Sequence, residues 1–332
     1  MSEISFFHAH PVQFCKMHHL GNHFVFFDEL AEKDPSRANT MFAPLKHPEA
    51  VRLLCDPARG VGADGVVFLR HPLTASSQAR MQIFNRDGSE AEICGNALLC
   101  MGHLYRLRHG VKVFPISIEA GGRNRQLFLD DSRDEFPRYR LDLGTASFGM
   151  TASGECDSAG ANSDKTVGEA GQPTAGPAVP PYHEHQTLIW KDIVLSPIYV
   201  NIGNPHAVLF FERPLSQADM EDIGPWLENH PRHPGGINVE FVTTDGPQSA
   251  RVHVWERGCG MTNACGTGAA AVCAAGVREG RLKLPVTIHM PGGQLQVDID
   301  SDSHISLTGT VQEIANGELS PFFLRQLFEV GQ

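Results

Sequence analysis

The sequence predicts an α/β (α+β) protein of two pseudo-symmetric domains, each a curved β-sheet or barrel wrapped around a central buried helix. Three observations predict it. The segments Ile93-Cys94-Gly95-Asn96-Ala97 and Ala264-Cys265-Gly266-Thr267-Gly268 look alike, with their cysteines 171 positions apart, and further landmarks repeat in the same order. Each copy reads strand, tight loop, apolar helix, strand. The chain has 332 residues, 41% of them apolar and 20% charged. At roughly 150 residues per domain that suggests about two domains, with enough apolar material for two cores that need neither disulfides nor a structural metal.

In the first copy, Arg80–Phe84 reads as a short strand and Asn85-Arg86-Asp87-Gly88 as turn chemistry. The segment Cys94–His109 is apolar on most of its circumference (Ala97, Leu98, Leu99, Met101, Leu104, Tyr105, Leu107), which marks a buried helix. Gly110 supplies the position where that helix stops. The β-branched run Pro115-Ile116-Ser117-Ile118 then precedes Gly121-Gly122. In the second copy Trp255-Glu256-Arg257-Gly258 precedes a helix over Cys265–Glu279, rich in small apolar residues from Ala269 to Val277. Gly280, Pro285-Val286-Thr287-Ile288 and Gly292-Gly293 complete the match. Between the copies, 22 of the 33 residues of Gly149–Pro181 are Gly, Ala, Ser, Thr or Pro. Such a segment buries too little surface to offset its ordering entropy, so a flexible insertion is expected over 149–186.

Asp plus Glu number 38 against 27 Lys plus Arg, a formal charge of −11, which argues against a nucleic-acid or anionic-membrane partner. No apolar run reaches 18 residues, and the opening residues lack the layout of a secretion signal, so a cytoplasmic location is expected. None of the eight cysteines forms a C-x-x-C pair, which speaks against a zinc ribbon or a dithiol redox motif. The 17 histidines, His8, His10, His18, His19 and His23 foremost, show no metal-ligand spacing; they are expected at the surface, and no metal is expected.

The two repeated cysteines sit where a helix begins. A helix N-terminus offers N–H groups without intrahelical partners and a partial positive charge, which favours thiolate over thiol. The same N–H groups bind a carboxylate, and glycine allows it close approach. Two such helices, facing one another across a cleft, would hold one carboxylate and offer a sulfur on each side of its α-carbon. That arrangement suits inversion of a stereocentre: one thiolate removes a proton and one thiol returns another to the opposite face. The plainer reading is a pair of buried cysteines that merely survived a duplication.

The sequence resembles the diaminopimelate epimerase family and, more widely, the cofactor-independent racemases and epimerases with two catalytic cysteines. The resemblance rests on Lys16-Met17-His18, Leu20-Gly21-Asn22, Gly60-Val61-Gly62-Ala63-Asp64-Gly65, Ile83-Phe84-Asn85 and Asp87-Gly88-Ser89-Glu90. It continues through Cys94-Gly95-Asn96, Gly203-Asn204-Pro205-His206, Glu256-Arg257-Gly258, the Cys265 motif and Pro291-Gly292-Gly293. It implies domains at 1–148, completed by 317–332, and at 187–316. Cys94 and Cys265 would be the acid/base pair. Backbone N–H groups of Gly95, Asn96, Gly266 and Thr267 would hold the α-carboxylate, and Glu256 the ammonium. Asn22, Asn85, Asn204, Asn238 and Arg257 would grip the substrate, several at its distal end, where the planar fork of Arg suits a carboxylate. His206 would have a supporting role, structural or catalytic. No cofactor is implied; the partner is a small amino acid, and a homodimer is expected.

Several family positions differ: His19 stands for a usual Gly, His23 for Asp, Ala97 for Gly, Leu99 for Arg and Met261 for Glu. A divergent diaminopimelate epimerase and a racemase of another amino acid, such as histidine, both fit these departures. A non-catalytic amino-acid-binding protein would keep the carboxylate cradle without needing both sulfurs. A pyridoxal-phosphate racemase needs a Schiff-base lysine in a phosphate-cradling frame, and none of the seven lysines has that setting.

Overall fold

The computed structural model describes residues 11–131, 137–149 and 187–331. The expected insertion lies, apart from Gly149, outside the described residues, as do His8 and His10. The chain divides into two compact units, one comprising residues up to Leu143 with Gly292–Gln296 and Ser306–Gln332, the other Gly144–Pro291 and Val297–Ile305.

In the first unit, β1 (Gln13–His19) and β2 (Asn22–Asp28) form an antiparallel hairpin. Its two loop residues, Leu20 and Gly21, both have positive φ (52° and 76°), the twist a two-residue hairpin turn demands. Strand β3 (Gly65–Arg70) pairs parallel with β2, and a parallel pair requires a long crossover. Helices α1 (Pro35–Phe42) and α2 (Pro48–Cys55) provide it. Both begin with Pro at a first-turn position, and Asp34 and His47 cap them by accepting the N–H groups of Ser36 and Glu49. Leu54 and Val51 of α2 pack with Phe27, Phe42 and Phe68 in the core below the sheet. Strands β4 (Ala79–Asn85) and β5 (Glu90–Ala91) follow as antiparallel neighbours. Helix α3 (Gly95–His109) is buried without interruption from Gly95 to Leu104, as a helix apolar on all sides should be. Gly110 ends it with φ of 64°. Strand β6 (Ile116–Ala120) returns parallel to β4, and β7 (Arg123–Asp131) and β8 (Arg138–Thr145) continue antiparallel.

The second unit repeats this order. Strands β9 (Ser147–Phe148), β12 (Ile198–Asn201) and β13 (Pro205–Phe210) pair antiparallel in sequence, and the hairpin of β10 (Leu188–Trp190) and β11 (Ile193–Leu195) lies between β9 and β12 in the chain. After α4 (Gln217–Glu228), β14 (Asn238–Gly246) pairs parallel with β13. Strands β15 (Ser249–Glu256) and β16 (Gly260–Thr262) pair antiparallel, α5 (Gly266–Arg278) follows, and β17 (Val286–Met290) returns parallel to β15. Helix α5 is buried from Gly266 to Gly276. The parallel and antiparallel sequence of β1–β6 thus recurs in β12–β17, and the X-Pro bonds at Pro115 and Pro285 are both cis.

The boundary near the C-terminus differs from the expectation. The chain returns to the first unit at Ser306 rather than at 317, and Gly292–Gln296 also belongs there. The strand Gln312–Glu318 pairs along the length of β1, so its residues cannot be counted with the second unit. The terminal helix Pro321–Val330 then places Leu324 and Leu327 in the first core. Among the described residues no helix is long and apolar enough to cross a membrane.

Candidate active site

Each unit presents one cysteine as the N-cap of its central helix. Cys94 has φ −141° and ψ 116°; Cys265 has φ −132° and ψ 114°. An N-cap residue is ordinarily Ser, Thr, Asp or Asn, whose oxygen accepts a first-turn N–H. Neither cysteine caps its helix in that way, so the first turn is suited to an outside acceptor such as a carboxylate. Gly95, Asn96, Gly266 and Thr267 are all buried at these two helix starts.

At the first helix start, Asn96 is 1% exposed and its Oδ1 accepts from Nδ1 of His19 over 2.9 Å. His19 has no exposed surface, which corrects the expectation that it lies at the surface. It ends β1, and the strand pairing carries its side chain inward. Burial, opposed only in part by the Asn96 hydrogen bond, lowers its pKa to about 4, so the ring is neutral. Asn22, its cross-strand partner, holds a buried Oδ1 with no partner among the described residues. Asn85 is engaged locally: Nδ2 donates to Ser89 Oγ over 3.0 Å and its backbone closes the turn to Gly88. His23 Nδ1 lies 2.9 Å from Asp64 Oδ2, and its backbone N–H donates to the same oxygen over 3.0 Å.

At the second helix start, Cys265 is 5% exposed, and its thiol pKa is pushed well above the ordinary value. Burial is the main cause, followed by the Glu256 charge; the Thr267 hydroxyl and the Gly268 amide oppose them. The expectation that the helix start lowers a cysteine's pKa therefore fails for Cys265, because desolvation and a neighbouring carboxylate outweigh the helix field. Glu256, at the end of β15, accepts from Thr262 Oγ1 over 2.6 Å and is itself raised by burial despite that bond and one to Cys265. Asn238 ties two strands together: its Nδ2 donates to Pro205 O and its Oδ1 accepts from Arg257 N, both at 2.9 Å. Each group keeps capacity for one more hydrogen bond. Arg257 is exposed, with Nη1 donating to Gly235 O over 3.0 Å.

A continuous hydrogen-bonded chain leads to Cys265. His206 Nδ1 meets Glu240 Oε1 at 2.6 Å, and His206 Nε2 meets Asn204 Oδ1 at 3.0 Å. Asn204 Nδ2 donates to Thr267 Oγ1 at 3.3 Å, and that hydroxyl lies 3.5 Å from Cys265 Sγ. The sequence reading gave no role to Glu240 or Thr262, and it singled out His19 only as a departure from the family's usual Gly. Glu240 left a signal as a lone carboxylate within the buried run Val239–Val242. Among the described residues no group of His, Cys, Asp and Glu is arranged to hold a metal ion.

The diaminopimelate epimerase family model matches residues 14–148 and 198–314. A diaminopimelate epimerase of Desulforudis audaxviator is 34% identical over 310 residues, covering 92% of this chain and 99% of that protein. One from Methanothermobacter thermautotrophicus is 34% identical over 300 residues, covering 88% and 91%. Among solved structures, a hydroxyproline epimerase from Agrobacterium vitis aligns with a TM-score of 0.63 at 12% identity, over 93% of this chain and 92% of that one. A methylitaconate-delta-isomerase aligns with a TM-score of 0.59 at 11% identity, over 95% and 97%. At such identities the structural likeness speaks for the fold alone.

Proposed function

The chain belongs to the diaminopimelate epimerase family, and from that premise we propose that it interconverts LL- and meso-diaminopimelate by a cofactor-independent exchange of protons between two cysteines. The observation that carries this reading is the matched pair of cysteine N-caps, alike in backbone angles at the starts of two buried helices. Inversion needs a base on one face of the α-carbon and an acid on the other. Cys265, whose proton is retained by burial and by Glu256, is suited to be the donor in the form described. Cys94, as thiolate, takes the α-proton. After one turnover the sulfurs have exchanged protonation states, and the reverse reaction runs from that form.

The α-hydrogen is very weakly acidic, so the developing negative charge must be stabilised. N–H groups of Gly95, Asn96, Gly266 and Thr267, held on the substrate carboxylate, provide fixed dipoles for it. Glu256 accepts from the ammonium group. Arg257, exposed and able to bind both oxygens of a carboxylate, is assigned with Asn22, Asn85, Asn204 and Asn238 to the distal end of the substrate. A cytoplasmic homodimer is the assembly this reading carries over from the family resemblance; light scattering on the purified protein checks the dimer.

The test is α-proton exchange in deuterated water with reduced, cofactor-free protein. The panel comprises LL- and meso-diaminopimelate with the L- and D-forms of histidine and the other amino acids. Interconversion of the diaminopimelates with deuterium entering one α-carbon is the expected result. Exchange restricted to histidine or another amino acid would reassign the substrate. Binding without exchange would make the protein an amino-acid-binding module.

A further inference from the structure

We propose that His19 is a positioning residue that holds the Asn96 side chain away from the N–H groups of its own helix, leaving them to the substrate carboxylate. The inference rests on the carboxylate role given above to the start of α3. Asn96 is the second residue of that helix. An asparagine there has a side-chain oxygen that competes for nearby backbone N–H groups, as Asx turns and N-caps do. A carboxylate cradle built from those N–H groups works against that competitor. His19 gives the oxygen another partner, with Nδ1 donating to Asn96 Oδ1 over 2.9 Å and both side chains almost wholly buried.

The surroundings of the ring show that Nδ1–H is its contribution. Nε2 is buried without a hydrogen-bond partner among the described residues. It lies against Gly309, where a β-carbon would fall inside contact distance of Nε2 and 2.9 Å from Cδ2 and Cε1. The ring thus has one polar contact and a strand opposite that accommodates it only through a glycine. A phenyl ring would fill the same space without a buried lone pair, so packing alone does not call for an imidazole. Because Oδ1 of asparagine only accepts, Nδ1 carries the hydrogen and the neutral ring is the Nδ1–H tautomer.

The experiment compares His19→Phe and His19→Gln with the unaltered protein, with thermal melting as the fold control. His19→Phe keeps the ring volume and loses the donor. It is expected to raise KM for diaminopimelate about tenfold, because the cradle loses its hold on the ground-state carboxylate, and to lower kcat as well, because the same N–H groups carry the charge that develops in the transition state. His19→Gln restores a donor and is expected to bring KM back to within about threefold of the original. An unchanged KM in His19→Phe, or a His19→Gln protein that melts normally yet is equally impaired, overturns the proposal. A second readout needs no turnover: long-range proton–nitrogen correlation on 15N-histidine-labelled, unaltered protein. A neutral Nδ1–H signal that is missing from His19→Phe supports the proposal, and an Nε2–H tautomer overturns it. If the unaltered protein fails to turn over diaminopimelate, the proposed function falls, and the tautomer still decides the role of His19.

Discussion

Nδ1 of His206 lies 2.6 Å from Oε1 of Glu240, and neither side chain has any exposed surface. The ring's other nitrogen lies 3.0 Å from Oδ1 of Asn204, so both ring nitrogens are engaged. Glu240 Oε1 also packs against the start of α5, where a β-carbon on Gly268 would come within 2.9 Å of it. A buried hydrogen-bonded chain thus runs from Glu240 through His206, Asn204 and Thr267 to the Cys265 helix start. Removing one partner of such a pair leaves the other uncompensated. Glu240→Ala is expected to destabilise the fold by about 3–5 kcal/mol in urea unfolding. The double change Glu240→Leu with His206→Leu should recover most of that stability while activity stays low, because Asn204 loses its orienting partner.

Replacing either proposed acid/base sulfur should stop inversion. Cys94→Ala and Cys265→Ala are each expected to lower kcat for interconversion by at least about 10³-fold, within the range positioned acid–base groups contribute, with melting unchanged. Partial exchange from one side can survive, since each variant keeps one sulfur. Polarimetry together with mass-spectrometric deuterium counting separates the two; full interconversion by either variant would sink the two-base reading.

The Cys265 thiol is raised first by burial and next by the Glu256 carboxylate. Glu256→Gln removes the second contribution, so the thiol pKa falls and the thiolate fraction at a given pH rises. Iodoacetamide alkylation of Cys265, followed by peptide mapping, is expected to be faster in Glu256→Gln than in the unaltered protein, and the gain should shrink as pH is raised. An equal or slower rate would mean that the carboxylate does not act on this sulfur.

Two buried histidines should make the fold sensitive to acid. His19 and His103 are each lowered to about 4, His19 by burial and His103 by burial with the Arg106 charge beside it. In the unfolded chain both take up a proton near pH 6.5, so between 6.5 and 4 the unfolded state binds more protons than the native one. Stability is therefore unaffected by these rings above pH 6.5 and falls as pH drops toward 4, by about 3 kcal/mol for each. Urea unfolding at a series of pH values checks the slope, which should be shallower in His19→Phe because one of the two rings is gone.

Gly309 and His19 should behave as a coupled pair. Gly309→Ala places a methyl group against the buried imidazole and is expected to cost about 1–3 kcal/mol through overpacking. In a His19→Ala background the same change should be close to neutral. Additive costs in a double-mutant cycle would show that the two side chains do not share that space.

The sequence by itself determined what depends on neighbours along the chain. A run of small and apolar residues after Cys-Gly makes a buried helix beginning at Cys94 or Cys265. A glycine at 110 or 280 ends it, and β-branched runs around Pro115 and Pro285 make strands. Each of these is set by steric and burial rules acting within a few residues, so the duplication and both cysteine positions could be read directly. Tertiary structure alone decided the fate of polar side chains whose partners lie far away in the chain. His19 meets Asn96 from 77 positions off and His206 meets Glu240 from 34, through strand pairings that no local pattern announces. The same cause moved the C-terminal boundary: Gln312–Glu318 belongs with the first unit because β1, almost 300 residues earlier, supplies its hydrogen-bonding edge. It also reversed the sign expected at Cys265. A helix start favours a thiolate wherever water still reaches the sulfur, and only the folded chain shows that Cys265 is enclosed beside Glu256, where desolvation and like charge prevail.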